Sequence, residues 1–169
     1  RLCNQLISEY PESLDAVACR LLRANSYEYG LTAEQSIDAS KALEDYAILA
    51  REPGWPGAMG HAGLARVLYF QDPESNAEEI RTHADSAIES IGHVPSMVAA
   101  GLVSRDHLFD EASARRYFLR AARERDLWGL KFYLHSLVKR FGRISNILTL
   151  PVLLLSAPFF KARELPIHD

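Results

Sequence analysis

The sequence predicts an all-α fold, an α-solenoid of stacked antiparallel helical hairpins with about three to four repeats, and three observations carry that expectation. The first is the run 110–122. There Asp110 is followed by Ala114, the aromatic pair Tyr117 and Phe118, and the small pair Ala121 and Ala122. Small residues stand where two helices would cross closely, and the aromatics stand where they could wedge into a neighbour. The second is an echo: Asp38, Ala42, Tyr46 and Ala50 repeat the spacing of Asp110, Ala114, Phe118 and Ala122. The third is the lack of alternating Val/Ile/Thr runs with hairpin turns, which leaves an all-β fold unsupported.

The elements follow in order. Residues 1–10 read as the end of a preceding helix. The chain opens Arg1-Leu2 without Met, so a fragment or a processed product is expected, with further repeats ahead of it. Pro11-Glu12-Ser13 starts a helix that runs to Gly30. Thr32, with Gln35 three residues on, is a capping-box signature for the next helix. The run Pro53-Gly54-Trp55-Pro56-Gly57 ends that helix. A helix to Phe70 follows, then a loop over 71–76 and a helix over 77–91, with Gly92 where a C-terminal cap belongs. His93-Val94-Pro95-Ser96 leads into a helix ending near Phe109, and Asp110 caps the next one. Residues 127–140 form the first helix of a last hairpin. Residues 1–142 are thus assigned to the helical array, and 143–169 to an apolar C-terminal segment with basic flanks.

A second pattern precedes the echo. Ala16, Ala18 and Leu22 follow Ala-x-Ala-x3-Leu, and the segment ends in Tyr27-Glu28-Tyr29-Gly30; fainter copies are Ala58-x-Gly60-x3-Leu64 and Ser96-x-Val98-x3-Leu102. On these residues the chain resembles the Sel-one-like repeat family, a tetratricopeptide-type α-solenoid. That family alternates an A helix (Ala-x-Ala-x3-Leu-Gly-x2-Tyr) with a B helix (Asp-x3-Ala-x2-Trp-Tyr-x2-Ala-Ala-x2-Gly). The match spans roughly residues 12–140. Arg23 and Arg125 stand where the family has Gly, and the middle B helix has Arg81 and Ala84 where Ala and Trp are expected. The resemblance implies that Ala18, Leu22, Ala42, Tyr46, Ala114, Phe118, Ala121 and Ala122 pack between helices. It also implies a non-enzymatic scaffold or adaptor that binds a protein or peptide. A second function class, a regulatory or assembly module of a bacterial envelope or polysaccharide system, follows from the same resemblance.

Charge divides the chain. Residues 1–104 carry 7 Lys/Arg against 15 Asp/Glu, whereas residues 105–169 carry 12 against 7. A basic cluster on a helix face is most simply a solvated face, and an acidic partner or anionic lipid is the sharper alternative. No nucleic-acid motif accompanies it, so no nucleic acid is expected. The 17 residues 144–160 carry no charge at all, with Arg140 and Arg143 before them and Lys161 and Arg163 after. Seventeen residues are at the short limit for a membrane span, and Pro151 would interrupt the helix. The segment either packs on the array, enters lipid or meets another chain. Phe159, Phe160 and the four flanking cations are the residues expected to meet an anionic membrane surface. The chain is expected to be cytoplasmic, or peripheral at the inner face of a membrane.

No catalytic constellation is visible, and no phosphate loop, nucleophile elbow or zinc-type Cys/His cluster. The chain is therefore expected not to be an enzyme, with no cofactor, no metal and no small-molecule substrate. Glu79 and His83 are four apart on a helix and could share a metal, but they supply two ligands only. Trp55 and Trp128 stand at junctions between hairpins, where packing is their simplest role. Cys3 and Cys19, without a dense framework, suit a reducing compartment.

Overall fold

Ser13 starts the helix over 14–29 as its sequence position implies. Its hydroxyl accepts from the Ala16 amide, its backbone is extended, and the helix behind it ends at Gly30 in the left-handed conformation that glycine tolerates best. A computed structural model describes residues 2–30, 37–138 and 145–160. Among these residues lie nine α-helices and no β-strand: α1 Leu2–Glu9, α2 Leu14–Tyr29, α3 Ala39–Leu49, α4 Trp55–Gln71, α5 Ala77–Ile91, α6 Val94–Asp106, α7 Glu111–Arg123, α8 Leu127–Val138 and α9 Ser145–Ser156. Asp38 and Asp110 cap α3 and α7 through side-chain bonds to the amides of Lys41 and Ser113. Gly92 closes α5 in the left-handed region. Thr32 and Gln35 lie outside the described residues, and α3 begins later, behind Asp38. The proline–glycine run both ends α3 and opens α4, with Gly54 at the N-cap and a proline in the first turn.

Each helix packs against the helices before and after it in the chain, and lighter contacts join α2 to α4, α4 to α6 and α6 to α8. The even-numbered helices thus form one layer. The core falls into two clusters. One gathers Val17, Ala24, Ala42, Tyr46 and Leu49 with Leu64 and Val67. The other gathers Ile80, Ala84, Ile88, Met97, Val103, Ala114 and Phe118.

The echoed residues occupy matching environments. Ala42, Tyr46, Ala114, Phe118 and Ala121 are all fully buried, and Ala122 is half-buried. Counted from the α5 N-cap Asn76, Ile80 and Ala84 stand at the positions of Ala42 and Tyr46, and both are fully buried. Ile80, and not Arg81, thus takes on α5 the buried place that Ala42 holds on α3. Small residues make the crossings possible. A Cβ on Gly60 would lie 2.4 Å from the Ala50 amide nitrogen, and one on Gly129 would lie 2.5 Å from Ala121 Cβ.

Two expected packing residues are exposed instead. Ala18 faces solvent and Leu22 is 60% exposed. The reason is the orientation of α2. Arg23 donates to Asn4 on α1 and, twice, to the buried carboxylate of Asp45 on α3 at 2.8 and 2.7 Å. That clamp turns Ala16, Val17, Arg20 and Ala24 inward. Positions 18 and 22 lie two residues further on, about 200° around the helix, and so point out. Cys19 is half-buried beside Cys3; both thiols are free, and hydrogen bonding to Cys3, then burial, raises the Cys19 pKa.

At the other end α9 packs on α8 and runs through Pro151 without ending there. No helix among the described residues is long and apolar enough to cross a membrane.

Candidate interaction groove

Leu14, Ala18 and Leu22 recur every four residues along α2, so they form one stripe, and Tyr29 lies on its continuation. Leu14 is 84% exposed and Tyr29 is partly exposed. At its C-terminal end the stripe meets a groove of about 620 Å³, walled by Tyr29 from α2, Ile37 ahead of α3, and Val67, Phe70 and Gln71 from α4. The walls are mainly apolar, and Ile37 and Phe70 are both exposed.

Beneath these walls lies a polar junction that fixes their spacing. Arg66 on α4 donates through Nε to Glu28 Oε1 and through Nη2 to Glu28 Oε2 at 2.7 Å. The Tyr46 hydroxyl, from α3, lies 2.6 Å from both Asn25 Oδ1 and Glu28 Oε2 and accepts from Arg66 Nη2 at 3.1 Å. Burial, opposed in part by Arg66, pushes the Tyr46 pKa far up and keeps the phenol neutral. Burial works against the Arg66 charge, but the hydrogen bonds and charge of Glu28 outweigh it and raise the Arg66 pKa. The guanidinium also sits 5.5 Å from the Tyr29 ring centroid. Three helices are thus tied at one buried ion pair, which makes the groove a preformed feature.

A second polar contact joins α4 to α5. His61 and His83 bring their Nδ1 atoms within 3.0 Å, so one ring donates and the other accepts. His83 Nε2 lies 3.7 Å from a Glu79 carboxylate oxygen. Among the described residues no group of three or more His, Cys, Asp or Glu gathers as metal ligands would. The pair weighed in the sequence, Glu79 and His83, lies in polar contact, with a second histidine behind it.

Of the residues expected to meet a membrane, Phe159 is exposed and Phe160 half-buried. Arg140, Arg143, Lys161 and Arg163 lie outside the described residues. Trp55 is exposed at the start of α4, while Trp128 stacks 6.3 Å from Phe132 within α8. The groove itself had no signature in the sequence, since Tyr29, Ile37 and Phe70 share no motif.

No family model, no curated protein and no solved structure matches the chain. Its function must therefore be read from its own side chains.

Proposed function

We propose that this protein is a non-enzymatic interaction scaffold, a short array of Sel-one-like helical repeats whose α2–α4 groove holds an apolar segment of a protein partner. The observation that carries the reading is the exposed stripe Leu14, Ala18, Leu22, which runs along α2 towards the apolar walls at Tyr29, Ile37 and Phe70. Exposed, contiguous apolar surface beside a rigid junction is the usual mark of a docking site. From Leu14 to Leu22 the stripe is straight and about 12 Å long at 1.5 Å per residue, which suits the apolar face of a short amphipathic helix. The matched burial of Ala42 with Ala114 and of Tyr46 with Phe118 supports the repeat reading. The assembly-module alternative rests on the resemblance alone.

The test is crosslinked affinity capture with the parent chain and with Leu22→Glu and Ile37→Glu. Both side chains are largely exposed, so both variants should melt like the parent while losing the captured partner. A partner retained at parental yield by both variants would remove the groove from the reading.

A further inference from the structure

The occupant can be named more closely, on the basis of the groove reading above. The geometry points to helix α9 of a second copy of this chain as a ligand of the α2 stripe, so that copies associate head to tail. Leu150 and Leu154, and beside them Pro151 and Leu155, form two adjacent rows along α9, and Val152 flanks them. All five are exposed, Leu154 by 67% and Leu155 by 78%, and no polar residue interrupts the arc. The opposite side of the same helix, with Thr149 and Leu153, shares a cavity with Phe132 and His135 of α8, and Leu150 stands at its edge. Helix α9 therefore has one face used and one apolar face presented outward.

The chain contains a surface of matching size and opposite charge. Helix α9 has 12 residues, and its exposed apolar residues from Leu150 to Leu155 span about 8 Å, within the roughly 12 Å of the α2 stripe. Glu9, Glu12 and Asp15 flank Leu14 in sequence, and all three are exposed. In sequence α9 is bordered by Arg140 and Arg143 and by Lys161 and Arg163. The half of the chain that carries the stripe is acidic, with 7 Lys/Arg against 15 Asp/Glu, and the half that carries α9 is basic, with 12 against 7. An anionic membrane would satisfy the basic half and repel the acidic one; a second copy satisfies both. Neither α1 nor α2 touches α8 or α9, because each helix packs mainly on its neighbours in the chain. The two faces lie at opposite ends of the array, so α9 cannot fold back onto its own α2 stripe. Two different faces at opposite ends of the array meet head to tail, and such a heterologous interface grows by addition or closes as a ring, according to the rotation between successive copies.

Sedimentation velocity over a concentration series tests this, with the 169-residue chain, with Leu22→Glu, with Leu154→Glu, and with an equimolar mixture of the two variants. The parent should pass beyond dimer mass as concentration rises, and less readily at high salt. Each variant alone should stay monomeric with an unchanged melt. Their mixture should stop at a heterodimer, because each variant supplies the face that the other lacks. A parent that stays monomeric, or that binds phosphatidylserine vesicles without self-associating, overturns the proposal. Association that survives Leu22→Glu but not Leu154→Glu overturns it too, in favour of α9 pairing with α9. If the parent stays monomeric while partner capture remains sensitive to Leu22→Glu, the groove reading stands and only its occupant changes. If capture is insensitive as well, both fall.

Discussion

The Tyr46 ring occupies the space that a side chain on Gly63 would need: a Cβ built there would come within 2.4 Å of the ring. Phe118 stands in the same relation to Gly101, again at 2.4 Å. Both rings are fully buried and cannot swing away. Alanine normally favours a helix interior over glycine by about 1 kcal/mol. Here overpacking should prevail, so Gly63→Ala and Gly101→Ala should each lose about 1–3 kcal/mol in urea melts. Ala121→Leu, opposite Gly129, should lose a similar amount. A parental midpoint for all three would mean that the crossings are looser than described.

The junction beneath the groove should be the most sensitive polar site. Arg66→Met leaves the Glu28 carboxylate buried without its cation, a change that costs about 3–5 kcal/mol in comparable buried pairs. Tyr46→Phe keeps the packing but removes a hydroxyl that Asn25, Glu28 and Arg66 all contact, at about 1–3 kcal/mol. Denaturant melts of the single and double variants would show the coupling. Additive losses would mean that the two side chains do not act through one network.

The spacing of Asp110, Ala114 and Phe118 made the buried face of α7 legible, because i, i+4, i+8 fixes one side of a helix. The same rule misled at Ala18 and Leu22. An apolar stripe reads alike whether it is covered or open, and only the Arg23–Asp45 clamp decides which side of α2 turns inward. That partner lies 22 residues away on another helix. The Glu28–Arg66 pair spans 38 residues and was likewise invisible, since a charge in sequence does not announce its partner. Helix ends were legible at the caps Ser13, Gly92 and Asp110, but not at Asp38, because the capping-box pattern at Thr32 and Gln35 pointed to an earlier start.

The histidine pair gives the fold an acid limit. Burial lowers the pKa of both His61 and His83; the charge of His83 lowers that of His61 further, while Glu79 opposes the shift at His83. A histidine whose folded pKa is depressed binds protons more readily when unfolded. Stability should therefore be full above the unfolded value of about 6.5 and be lost as pH falls through it towards the folded values. Asp38, Asp72 and Asp110 are shifted below ordinary carboxyl values and titrate in a lower window. Urea midpoints measured from about pH 8 to about pH 5 should decline for the parent and decline less for His83→Phe. Equal slopes would assign the acid sensitivity elsewhere.

Arg125 carries a conformational cost: it adopts a φ of 59°, in the left-handed region that glycine tolerates best. A non-glycine residue pays roughly 1–2 kcal/mol for that conformation. Glycine removes the cost but returns part of it as entropy of the unfolded chain, roughly 0.5–1 kcal/mol. The Arg125 side chain is exposed, so little packing is lost with it. The turn itself is held by backbone bonds from Arg125 and Asp126 back to Ala122 and Ala121, which glycine would keep. Arg125→Gly should therefore stabilise the chain by up to about 1 kcal/mol, read as a higher urea midpoint with an unchanged slope. Gly92→Arg, the reverse change at the left-handed cap of α5, should destabilise by a similar amount. If Arg125→Gly instead lowers the midpoint, the arginine makes a contribution to the α7–α8 turn that outweighs its backbone strain.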